Sequence, residues 1–145
     1  MNLSNEQYNK IRLLSDTVLY SEAVDFVRRF VQEHSSLPKT QSNGLLNIAQ
    51  PNNYPELISF VRHQRDRDWP PGKLDIKEFY TALDKELVRL QRRVKEEFLL
   101  TSSGLSRKLA SEEENELMGL LVREFIQHLA AENDLFEAKN RSSYD

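Results

Sequence analysis

Two groups of basic residues set the chemistry open to this chain. Arg62, Arg65 and Arg67 fall in the run RHQRDRDW. Lys85, Arg89, Arg92, Arg93 and Lys95 fall in a second stretch, where one acid, Glu86, leaves a local charge of +4. Helical spacing puts Lys85, Arg89 and Arg92 on nearly one line. Ammonium and guanidinium groups arranged this way suit the phosphates of a nucleic-acid backbone, in a contact that carries no sequence information and weakens as salt rises. A solvated helix face would carry the same residues, and for an arbitrary chain that is the commoner explanation. Tyr54 and Trp69 have rings that can stack on bases; as single aromatics beside turns they equally suit packing.

Other chemistries find less support. His34, His63 and His128 fall on different elements and none has a partner four residues on, so the converging ligand set of a zinc site is missing. His128, beside an apolar stripe, reads as an edge or core histidine. The acids Asp66 and Asp68 alternate with arginines, and the run Glu112–Glu113–Glu114 opens a helix; ion pairing and capping explain both. There is no phosphate-binding loop, no nucleophile elbow and no nucleophile with an evident base. With no cysteine, disulfides, thiolate metal sites and cysteine nucleophiles are excluded. The expectation is a non-enzymatic chain with no metal and no cofactor.

The totals bound the rest. A chain of 145 residues predicts one domain. The formal net charge of −3 means that nucleic-acid binding would have to come from a local patch. No apolar run approaches the roughly 20 residues of a membrane span, and MNLSNEQYNK lacks the apolar core of a signal peptide. These features predict a soluble, cytoplasmic protein. Four glycines and five prolines, with no strand pattern, suit long helices joined by few turns.

The elements that must position the basic groups follow from apolar spacing. Ser4 and Gln7 form a capping box ahead of one helix from about Asn5 to Glu33, bent near Ser21. Its ladder is Leu13, Thr17, Tyr20, Val24, Val27 and Val31, widened by Leu14, Val18, Ala23, Phe26 and Phe30. His34–Leu37 form a turn. A helix from Pro38 to about Gln50 follows, with Ser36 as N-cap and Leu45, Ile48 and Ala49 on one face. Gly44 lies inside it, either simply tolerated or marking a close crossing or a bound phosphodiester. Asn53 caps the next helix, which buries Leu57, Ile58, Phe60 and Val61 and stops before Pro70-Pro71-Gly72. Asp75 and Glu78 cap the most regular element, with Ile76, Tyr80, Leu83, Leu87, Leu90, Val94 and then Phe98 inward. Gly104 suits a helix stop within the connection Thr101–Ala110, which Arg107 and Lys108 make basic. Ser111 and Glu114 form a capping box for the last helix, which buries Leu117, Leu121, Val122, Phe125, Ile126 and Leu129 and ends near Asn133. The expected fold is all-α: a single-domain bundle of about five helices over residues 1–145, its tail frayed from about 134.

At SLPKTQSNGLLNIA the chain resembles the small helical subunits of type III CRISPR effector complexes. The resemblance rests on Leu37-Pro38 leading into a short helix with Gly44-Leu45, on chain length and on all-helical character; KEFYTALDKELVRL is in keeping with it. Its specific part covers about 15 residues. It implies a non-catalytic subunit that packs against other effector subunits and copies of itself, bracing the guide RNA and the target RNA paired with it. Arg62, Arg65, Arg67, Lys85, Arg89, Arg92 and Arg93 then become the candidate RNA contacts. The alternative is a helical adaptor or scaffold that binds protein partners only.

Overall fold

Leu13 and Tyr20, two rungs of the expected N-terminal ladder, are 65% and 53% exposed. The computed structural model describes residues 2–142, with side chains described to residue 139. Asn5–Leu14, Ser15–Leu19 and Tyr20–Val31 run on as one helix, α1, whose middle segment is wound as a π turn. The buried residues Gln7, Ile11, Ser15, Leu19 and Ala23 are each four apart. An α-helix turns about 100° per residue, so each step of four overshoots by about 40°, and four such steps would carry the line about 160° around the helix. The π turn, with its i→i+5 bonds, winds less per residue and returns Leu19 and Ala23 to the core side. The ladder is therefore displaced in its first half, and the irregularity lies at Ser15–Leu19 rather than near Ser21. Its second half stands: Ala23, Val24, Phe26, Val27 and Phe30 are all buried. The Ser4–Gln7 capping box forms, with the Gln7 N–H on the Ser4 hydroxyl at 3.1 Å and the Ser4 N–H on the Gln7 amide oxygen at 2.8 Å.

Four more helices complete an all-α bundle: α2 (Lys39–Ala49), α3 (Tyr54–Asp66), α4 (Leu74–Glu96) and α5 (Arg107–Ser142). Among the described residues there is no strand, and no helix is long and apolar enough to cross a membrane. α5 is the axis and packs on each of the others. Its Leu117, Met118, Leu121, Val122, Phe125, Ile126 and Leu129 are wholly buried, each contributing roughly 1.5–3 kcal/mol of transfer free energy. Gln7 meets Glu113 and Arg28 meets Glu132, so α1 runs in the direction of α5. Lys39 meets Asp134 while Asn52 lies against Gly119, so α2 runs the opposite way. α4 also opposes α5, with Gln91 on Glu114.

Several expected ends move, three of them because a distant partner claims a residue and two through local closure or capping. Pro38, not Ser36, stands at the N-cap of α2; the Ser36 hydroxyl donates to Glu137. Asp75 does not cap α4. Its carboxylate accepts from the Ser35 N–H at 2.9 Å and holds His34 Nδ1 at 2.9 Å, which ties the α1–α2 connection to the start of α4. α4 stops at Glu96, ahead of Gly104, and Leu99 takes the left-handed position that closes it, with the Leu100 N–H on the Val94 carbonyl at 3.0 Å. α5 begins at Arg107, where the Ser106 hydroxyl accepts from the Leu109 N–H, so Ser111 lies inside the helix and no capping box forms there. It also continues past Asn133 to Ser142, because the α1–α2 connection covers that end: buried Asn133 holds both the N–H and the C=O of Leu37, at 2.7 and 2.8 Å.

Two positions give direct stability tests. Leu99 holds φ 52° and is 67% exposed. A left-handed conformation costs a non-glycine residue about 1–2 kcal/mol, so Leu99→Gly should raise the melting temperature by about 3 °C; a fall would mean that the leucine side chain holds the connection. At Gly44 nothing lies within 4 Å of where a Cβ would stand, so no close helix crossing uses its bare backbone; a close approach falls at Gly119 instead, where a Cβ would meet the Asn52 side chain. Gly44→Ala should stabilise by about 1 kcal/mol in chemical denaturation; a loss of stability would show that the bare backbone serves the fold.

Candidate nucleic-acid interface

α4 carries the line of basic residues between two flanking helices; one flank claims Arg89 and Arg93 of the line, and the other sets its own arginines against α4. On one side lies α3. Arg62 Nε and Arg65 Nη1 both donate to the Asp84 carboxylate, at 3.0 and 2.8 Å. Arg65 also grips Asp66 at 2.8 and 3.0 Å, and that bond holds the Asp66 carboxyl below its ordinary range. Arg67 donates to Gln64 and lies 4.3 Å over the Trp69 ring. On the other side lies α1. Arg89 and Arg93 reach Glu22 at 3.4 and 2.6 Å. Arg93 also binds Glu97 at 2.6 Å, holding that carboxyl low, and covers the Phe98 ring at 4.6 Å. Its side chain is only 12% exposed.

Lys85, Arg92 and Lys95 differ. All three are exposed, and none has an ion-pair partner among the described residues. Lys85 and Arg92 lie two turns apart on one line, about 10.5 Å along the axis, with Lys95 a step around it. Arg107 and Lys108, also exposed, begin α5. The α4 surface therefore keeps a narrow cationic track whose ammonium and guanidinium groups are free to meet an anion.

Beside the track is a feature that basic spacing does not reveal. Val88, Gln91, Arg92, Val94, Lys95 and Glu114 line a mostly apolar groove of about 310 Å³ between α4 and the start of α5. Gln91 Nε2 donates to Glu114 Oε1 at 2.9 Å across it. The signal in the sequence is Val88, an apolar residue set among the basic ones; the structure leaves it 42% exposed.

The remaining candidates sit apart. Tyr54 is buried, and Trp69 is buried with its indole N–H on the Gln64 carbonyl at 2.7 Å, so both are packing residues. His34 stacks on Phe30 and holds Asp75, while His128 meets the Ser15 hydroxyl at 3.0 Å and the edge of Tyr20. Among the described residues no three histidine or carboxylate groups are placed to hold a metal ion. Of the acidic run, Glu113 turns inward. It accepts from the Ser102 N–H at 2.7 Å, the Ser102 hydroxyl at 2.5 Å and Gln7 Nε2 at 3.1 Å. Burial pushes its carboxyl up, but these donors outweigh that and leave it below the usual carboxylate range. Comparison of the chain with protein-family models, curated proteins and solved structures found no match.

Proposed function

We propose that this chain is a non-catalytic small subunit of a type III CRISPR effector complex, working in the cytoplasm, where it braces RNA by its backbone and packs against neighbouring subunits. The observation that carries the reading is the exposed, unpaired track of Lys85, Arg92 and Lys95 on α4; the resemblance at SLPKTQSNGLLNIA supplies the class of complex. Phosphate contact by such side chains positions an RNA, while base pairing between guide and target supplies sequence selection.

The test reverses charge where no intramolecular partner is lost. Lys85→Glu with Arg92→Glu in the assembled complex should lower retained RNA, more steeply at higher salt, and leave the melting temperature of the chain within about 2 °C of the parent. RNA retention equal to the parent would remove this track from the interface.

One observation favours a helical adaptor that binds protein only. Leu13, Tyr20 and Leu135 are each more than half exposed, and apolar side chains so placed suit a protein partner. That reading expects a stable protein complex free of nucleic acid.

A further inference from the structure

We propose that the groove between α4 and the start of α5 receives one unpaired base of an RNA strand, with Arg92 and Lys95 on the phosphates either side of it. This rests on the RNA-binding reading above and narrows it to a single strand. Arg62 and Arg65 on one flank, and Arg89 and Arg93 on the other, already hold carboxylates. On α4 what remains free is one line of cations, Lys85, Arg92 and Lys95, which suits one backbone.

The groove itself has the size and lining for a base. Its volume of about 310 Å³ stands at the lower end of small-ligand pockets, about 300–1,000 Å³, and suits a planar base without its sugar. Val88, 42% exposed, offers an apolar wall to a ring face. Gln91 spends one N–H of its amide on Glu114, which leaves the second N–H to donate and the Gln91 carbonyl and the second Glu114 oxygen to accept from a base edge. Glu96 and Glu114 also line the groove, so a phosphate cannot occupy it, and the free cations on its rim place phosphates outside it. A base stacked inside a duplex cannot enter; a base on a single strand turns in freely.

Ultraviolet irradiation of the native complex, followed by nuclease digestion and peptide mapping, reads the contact directly. The expected nucleotide adduct lies on the segment from Val88 to Thr101. An adduct confined to another part of this chain, or none on this chain, overturns the groove and leaves backbone binding of RNA standing. Val88→Glu adds charge at a half-exposed site that the fold does not need. It should cut the adduct about tenfold and weaken binding of a single-stranded oligonucleotide to the full chain by a similar factor, as loss of one base contact does. Equal binding of parent and variant, or tighter binding of duplex than of single strand, overturns the proposal.

Discussion

Glu113→Ala should lower the melting temperature of the chain by about 9 °C, from a loss of about 3 kcal/mol. The side chain is 2% exposed and ties three segments together: α5, which carries it; the α4–α5 connection, through both the N–H and the hydroxyl of Ser102; and α1, through Gln7. Gln7 also donates to the Leu100 carbonyl at 2.9 Å. Removing the carboxylate leaves buried or half-buried donors without acceptors, and each such group costs about 1–3 kcal/mol. The carboxyl is held below its ordinary range in the folded chain. Its contribution is therefore present above the pH at which a free glutamate titrates and is lost as pH falls through the lowered folded value. Glu113→Gln should flatten that acid limb of the stability curve. Thermal melts of parent and Gln variant across the acid range check it, and parallel acid limbs would show that another carboxylate governs them.

Asn133→Ala is the second large effect, an expected loss of about 3 kcal/mol in urea denaturation. Asn133 is buried on α5 and serves both polar groups of the buried Leu37 backbone. Alanine orphans a donor and an acceptor at once. Asn133→Asp should cost at least as much: a carboxylate still accepts from the Leu37 N–H, but it sets an unpaired buried charge against the Leu37 carbonyl. An aspartate variant as stable as the parent would contradict the bracket.

How far this molecule could be read from its sequence depended on the distance between partners. The α4 stripe was legible because it is periodic: Ile76, Tyr80, Leu83, Leu87, Leu90 and Val94 are all buried. α1 was legible in its second half and displaced in its first, since steps of four at Gln7, Ile11 and Ser15 fit an α-helix only once a π turn takes up the overshoot. The start of α5 was masked by Ser111 and Glu114, a local pair that resembles a cap, while Glu113 works with Gln7 far along the chain. The basic line was legible as a line but not as a balance: its +4 took no account of Glu22 on α1, which pairs with both Arg89 and Arg93, or of Glu97, which holds Arg93 as well. The groove at Val88 needs the start of α5 beside α4, a juxtaposition no local pattern encodes.

The central claim, that this chain braces RNA inside a larger assembly, is tested most directly by purifying the tagged protein gently from its native host and identifying what accompanies it, by ultraviolet absorbance ratio, RNA sequencing and mass spectrometry. The account predicts short RNAs of uniform length together with larger effector subunits. Protein partners without RNA would contradict it and return Lys85, Arg92 and Lys95 to the role of a solvated helix face.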